Sequence, residues 1–311
     1  MKKQKIICVV GPTASGKTGL GIALAKHFDG EVISADSMQI YQDMNIASAA
    51  PDESETEGVP HHLVEFLPYG SSYTVADYVK AARKKITDIA SRDKLPIIVG
   101  GTGLYINSLV NNVEFIKQET DFELREHITR EFDRIGGEEM LERLRDIDPD
   151  AASKLHANDK RRIIRAFEIY ESTGHTKSFN DEISIQNESP YECCMIGITY
   201  SDREKLYERI NTRVDVMLRN GLMPEAQLAF QKKIGGGAVQ AIGHKEFFDY
   251  FKGEISLDEA VENLKRSTRR YAKRQLTWFN KDCRINWIYK DKTPNIEELA
   301  IAIAEREDNY A

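Results

Sequence analysis

Five apolar residues, Ile6 to Val10, run without a break into the segment GPTASGKT at positions 11–18. Nothing else in the chain constrains the fold as much. A short apolar run that ends in a glycine-rich turn reads as a buried strand over 4–10, and Lys17 to about Phe28 then has helical character. The segment fits G-x-x-x-x-G-K-[ST] through Gly11, Gly16, Lys17 and Thr18. In that pattern the glycines let the backbone curl so that successive N–H groups point at one phosphate, and the helix opening there adds the positive end of its dipole. The expected phosphate-binding residues are therefore Gly11, Pro12, Thr13, Ala14, Ser15, Gly16, Lys17 and Thr18. Lys17 supplies a mobile positive charge and the Thr18 hydroxyl a ligand for Mg²⁺. A lysine-led apolar start can also mark a signal peptide, but this stretch is short and meets the glycine loop at once.

The alternation continues downstream. Strands are expected over Glu31–Ala35 (EVISA) and Leu95–Val99 (LPIIV), with a helix over Val75–Ser91 between them and an irregular acidic loop over 43–72. Strand character returns at Cys193–Tyr200 (CCMIGITY) and again at Ile285–Tyr289 (INWIY). Between about Thr120 and Thr173 only helical segments occur, among them DFELREHITREFDRI and DKRRIIRAFEIYEST. The expected fold is α/β: a P-loop core of parallel sheet and flanking helices over 1–115 and 191–311, with an all-helical domain inserted over 116–190.

Charge and cysteines narrow the setting. The net charge of −7 argues against bulk nucleic-acid binding, yet two basic clusters stand out, 160–165 (KRRIIR) and 265–274 (KRSTRRYAKR). The second, continued as KRSTRRYAKRQLTWF to Phe279, interleaves aromatics with charge, a pattern compatible with RNA as well as with a solvated helix face. The four cysteines, Cys8, Cys193, Cys194 and Cys283, form no C-x-x-C pair, which suggests structural thiols and a reducing, cytoplasmic setting. No apolar run approaches the ~20 residues that cross a bilayer, so no membrane partner is expected. No apolar helix stripe demands a partner chain, and a monomer is expected.

A phosphate loop alone does not define a reaction. A kinase needs a second acid at a strand end, and Asp36, directly after EVISA, occupies such a position; the third strand ends in Gly-Gly-Thr instead. Asp36 reads as a metal acid, as a base facing the loop, or as a turn residue. A small-molecule or nucleoside kinase is the alternative reading of these features.

Seven segments occur in a telling order: GPTASGKT at 11–18, ISADSMQIY at 33–41, PHHL at 60–63, VGGTGLY at 99–105, RRIIRAFEIYESTG at 161–174, QAIGHKEF at 240–247 and STRRYAKRQLTWF at 267–279. With these the chain resembles the tRNA dimethylallyltransferases, in their shorter bacterial form, almost end to end. The resemblance implies transfer of a dimethylallyl group from dimethylallyl diphosphate to the exocyclic amine of an adenine beside the tRNA anticodon, with Mg²⁺ as cofactor. It makes Asp36 the base, places Thr102 at the reacting adenine, and adds Arg213 to the diphosphate site. It puts Ser37, Met38, Gln39, Arg125, Arg161, Arg162 and Arg165, together with Asp36 and Thr102, in contact with the anticodon arm. The inserted helices become the tRNA-binding domain. Two places depart from the family pattern: IASAAP at 46–51 has Ala50 for a lysine and Ser48 for a threonine, and His244 stands where tyrosine is usual. A packing role is expected for His244.

Overall fold

The computed structural model describes residues 3–115, 121–184, 188–232 and 241–308. The expected insertion boundary at 116, and Gln240 of the QAIGHKEF segment, lie outside them. The chain divides into two compact units: Met1–Val110 with Pro190–Ala311, and Asn111–Ser189.

The first unit opens with β1 (Gln4–Val10), the P-loop and α1 (Lys17–His27), then β2 (Gly30–Ser34). In the segment read as irregular, the structure adds α2 (Asn45–Ser48) and the two-residue strand β3 (His61–His62). Neither is long enough to show a period. β3 is tied to β2 by side chains: buried Glu31 accepts from His62 and from a bidentate Arg92, which holds its carboxyl down to about 2. Next come α3 (Val75–Ala90), started by a capping box between Thr74 and Asp77, then β4 (Leu95–Gly100) and α4 (Gly103–Val110).

Every regular element of the second unit among its described residues is a helix: α5 (Phe122–Ile135), α6 (Gly137–Ile147), α7 (Pro149–Ala152), α8 (Lys160–Thr173) and α9 (Lys177–Ile183). Its own core joins Ile128 and Phe132 of α5, Leu141 and Leu144 of α6, and Ile163 and Phe167 of α8. Buried Asp148 caps α7 and also accepts from the Ser178 N–H at the start of α9.

The chain re-enters the first unit with β5 (Tyr191–Thr199), α10 (Arg203–Arg219), α11 (Leu222–Lys232), a 3-10 turn at Lys245–Phe247 and α12 (Phe248–Phe251). It closes with the 23-residue α13 (Leu257–Phe279), β6 (Asn286–Tyr289) and α14 (Ile296–Asp308). The six strands form one sheet in the order β3-β2-β4-β1-β5-β6, and every pairing is parallel. Both faces are covered, as a parallel sheet requires. Ile6, Cys8 and Val10 pack into one core cluster and Ile7 and Val9 into another, the two-residue alternation of a strand buried on both sides. Such a sheet binds ligands beyond the carboxyl ends of its strands, where the strand order reverses. Here those ends carry the P-loop after β1, Asp36 after β2 and Gly101-Thr102 after β4.

Candidate active site

The loop between β1 and α1 is closed by its own side chain, since the Lys17 ammonium donates to the Pro12 carbonyl at 2.7 Å. Burial, and then the neighbouring Arg213, push that ammonium down to about 8 against the pull of Asp36. Arg213, on α10, is likewise lowered by burial while Asp36 and Glu55 act the other way. The loop is held from outside as well. Gln275 of α13 accepts from the Thr13 N–H at 2.8 Å and donates to the Gly101 carbonyl at 3.0 Å, bridging the ends of β1 and β4. A Cβ at Gly101 would stand 2.2 Å from the Gln275 amide nitrogen, so only glycine admits the bridge. The Thr13 N–H is thus engaged by Gln275 and not directed at the loop's interior.

Asp36 serves as turn residue and cavity wall at once. One of its oxygens accepts from the Met38 N–H at 2.8 Å, and the residue lines a cavity of about 290 Å³. Thr13, Lys17, Thr18, Ser37, Met38, Gln39 and Arg213 line the same cavity. Thr102 is not part of that lining. Its hydroxyl accepts from the Ser37 N–H at 3.0 Å, which locks the turn carrying Asp36 onto the end of β4. Gln39 is tied at both ends, to the Ser34 hydroxyl and the Ala49 carbonyl.

The cavity also has walls that the motifs did not nominate. Thr268, Tyr271, Arg274 and Gln275 reach it from α13, so part of the 265–274 cluster is a cavity wall, while Arg266, Arg270 and Lys273 are exposed. Burial, then Asp36, hold the Tyr271 proton above the ordinary phenol range, while Thr102, Arg274 and Gln275 act the other way. Lys265 and Arg269 of the same cluster are engaged by Asp215 and Asn211. An i, i+3, i+7 spacing links Thr268, Tyr271 and Gln275, and that period is the one signal in the sequence that could have found them.

Ala47, Ser48 and Ala49 of the departing IASAAP stretch line the cavity too. Their placement depends on Glu225, whose two oxygens accept from the Ile46 and Ala47 N–H groups at 2.9 and 3.0 Å. His244, fully buried, meets the same carboxylate at 2.8 Å. It is packed away from solvent, as expected, and it also hydrogen-bonds the carboxylate that positions the 46–47 backbone.

The four arginines expected at RNA belong to the second unit. Arg125 and Arg165 both reach one oxygen of buried Glu168, at 2.9 and 3.1 Å, and each stays more than a third exposed. Arg162 lies 4.0 Å from Asp159, while Arg161 is exposed and has no ion pair among the described residues. Lys160 pairs with Asp133.

The donor set suits Mg²⁺. Thr18 and Asp36 offer hard oxygen atoms to one cavity, and no cluster of three His, Cys, Asp or Glu residues that would favour another metal occurs among the described residues. An ion held by so few protein ligands takes the rest from phosphate and water, which is how Mg²⁺ commonly binds. No helix among the described residues is long and apolar enough to cross a membrane.

Comparison with known proteins agrees with this arrangement. The family model described as IPP transferase matches residues 39–282. A tRNA dimethylallyltransferase of Thermoanaerobacter sp. (strain X514) is 46% identical over 300 residues, covering 95% of each chain. That of Bacillus subtilis is 46% identical over 296 residues, covering 95% of this chain and 93% of its own. Among solved structures, the tRNA isopentenylpyrophosphate transferase of Bacillus halodurans matches with a TM-score of 0.72 at 40% identity over 99% of both chains. A eukaryotic dimethylallyltransferase acting on tRNA matches with a TM-score of 0.81 at 30% identity, over 99% of this chain and 79% of its own.

Proposed function

The chain belongs to the IPP transferase family, whose members named above are tRNA dimethylallyltransferases, and from that membership we propose that it moves the dimethylallyl group of dimethylallyl diphosphate onto the N6 amine of the adenine 3′-adjacent to the tRNA anticodon. The observation that carries this reading is a single cavity in which Lys17, Thr18 and Arg213 face Asp36. The first three suit a departing anion; the last suits a proton acceptor.

The chemistry follows from those groups. A bond forms between the adenine nitrogen and the allylic carbon as the carbon–oxygen bond of the donor breaks, and the electron pair leaves with diphosphate. Lys17 and Arg213 stabilise the charge that grows there, in a site where burial makes each cation count for more than in water. The exocyclic amine is a weak nucleophile until its proton is taken, and Asp36 accepts that proton. Thr102 fixes the turn that aims Asp36. Mg²⁺, held by Thr18 and the diphosphate, would supply further charge neutralisation. The adenine must leave its stack to reach the cavity. We assign Ser37, Met38 and Gln39 to that flipped base, and Arg125, Arg161, Arg162 and Arg165, in the inserted helical domain, to the RNA backbone. The protein acts as a monomer in the cytoplasm.

A kinase is not the reading that the relatives support. The deciding assay supplies labelled dimethylallyl diphosphate and Mg²⁺ with either unmodified tRNA or AMP. Label on tRNA is expected; label on AMP alone overturns the acceptor, and label on neither overturns the transfer.

A further inference from the structure

Outside the P-loop motif, three cations gather at the loop's tip. Arg209 and Arg213 stand four residues apart on α10 and so share one face of it. With Ala14, Gly16, Thr212 and Val216 they line a second cavity, of about 350 Å³. Arg213 lines this cavity and the first one alike. Lys290, the first residue after β6, comes in from the other end of the chain. Its ammonium lies 2.8 Å from where a Cβ on Gly16 would be, and Gly16 has a φ of +95°. Glycine is thus favoured there by the backbone, and the absence of a side chain lets the lysine rest close against the loop.

These cations are placed at a cost. Burial and the nearby Arg209 both push the Lys290 ammonium down. The chain carries 50 carboxylate residues against 43 lysines and arginines, so partners are plentiful. Yet no acid among the described residues forms an ion pair with Arg209, Arg213 or Lys290, while Lys205, Lys265 and Lys232 in the same unit all have one. Like charges brought together beside the P-loop, without an ion pair of their own among the described residues, describe a site suited to a polyanion.

We propose that Arg209 and Lys290 are diphosphate-binding residues, which hold the donor's diphosphate across the two cavities together with Lys17 and Arg213. The inference rests on the prenyl-transfer reading and deepens it. In this arrangement Lys17 and Thr18 face the phosphate nearer the allylic carbon, Arg213 bridges, and Arg209 and Lys290 hold the outer phosphate. The outer cavity is then also where released diphosphate departs.

The test is binding of inorganic diphosphate, and separately of an unreactive thio-analogue of dimethylallyl diphosphate, to wild type, Arg209→Gln and Lys290→Gln. Each variant is expected to weaken both ligands about tenfold or more, as loss of a charge-assisted contact does. Affinity for unmodified tRNA should stay within twofold, which also reports an intact fold. Both ligands binding within twofold of wild type overturns the assignment. So does a loss confined to tRNA, which would make these cations contacts to RNA backbone. Wild-type transfer to tRNA, measured in parallel, tests the underlying reading separately, because diphosphate affinity does not depend on its outcome.

Discussion

Asp36 is the residue on which the proposed chemistry turns, and its two tasks can be separated. Asparagine keeps the oxygen that accepts from the Met38 N–H at 2.8 Å but cannot take a proton. Asp36→Asn is therefore expected to lower kcat by a factor of about 10²–10⁴, the usual worth of a general base, with donor affinity retained. Single-turnover kinetics beside donor titration check this; near-normal turnover removes Asp36 from the mechanism. Lys17 makes a pH prediction. With its free-enzyme value near 8, it is charged below that pH in the free and the donor-bound protein alike, and affinity there is flat. Above it the free protein loses the proton while a bound diphosphate retains it, so binding must take one up. Donor affinity should fall by up to about tenfold for each pH unit above 8, and a flat profile from pH 7 to 10 counts against the assignment. Asp36, Lys17 and Thr18 were legible because a strand end and a short motif announce them. Tyr271 and Lys290 were not, for their roles come from what α13 and β6 meet after folding, and a tyrosine in a helix or a lysine after a strand reads alike wherever it points.

Among elements, α13 has the most to do and announces it least. Its amphipathic period was visible, but a basic stripe has the same spacing whether it faces solvent, RNA or a cavity. The parallel strands were plain in their apolar runs, whereas β3 and α2, with two and four residues, are too short for any periodicity and exist through Glu31 and Glu225. The Gln275 bridge gives α13 a measurable role. Gln275→Leu leaves the Thr13 N–H and the Gly101 carbonyl without their partner. A loss of about 2 kcal/mol in stability is expected by chemical denaturation, with a raised KM for the donor. An unchanged denaturation midpoint with unchanged KM would show that the loop holds itself.

For the whole molecule, the net charge of −7 and the proposed RNA substrate are reconciled by where the cations sit. Arg161 and Arg162 are exposed on α8, and Arg125 and Arg165 are held side by side on one buried carboxylate. If these reach phosphates, tRNA affinity falls linearly with salt on logarithmic axes, and Arg161→Ala with Arg162→Ala makes the slope shallower by about 1 to 2. Equal slopes for the variant and wild type would locate the RNA elsewhere. The parallel topology carries a last consequence, for synthesis. β1 is made first, yet one of its two neighbours is β5, which pairs Ile6 with Cys193 and emerges only after all of Asn111–Ser189. The helical unit, whose core closes among near neighbours in sequence, can complete itself on the ribosome while one edge of β1 still stands open. The catalytic cavity closes later still, since it needs Arg213 and then Gln275. A nascent chain thus has its helical insertion ready well before it has anywhere to put a donor.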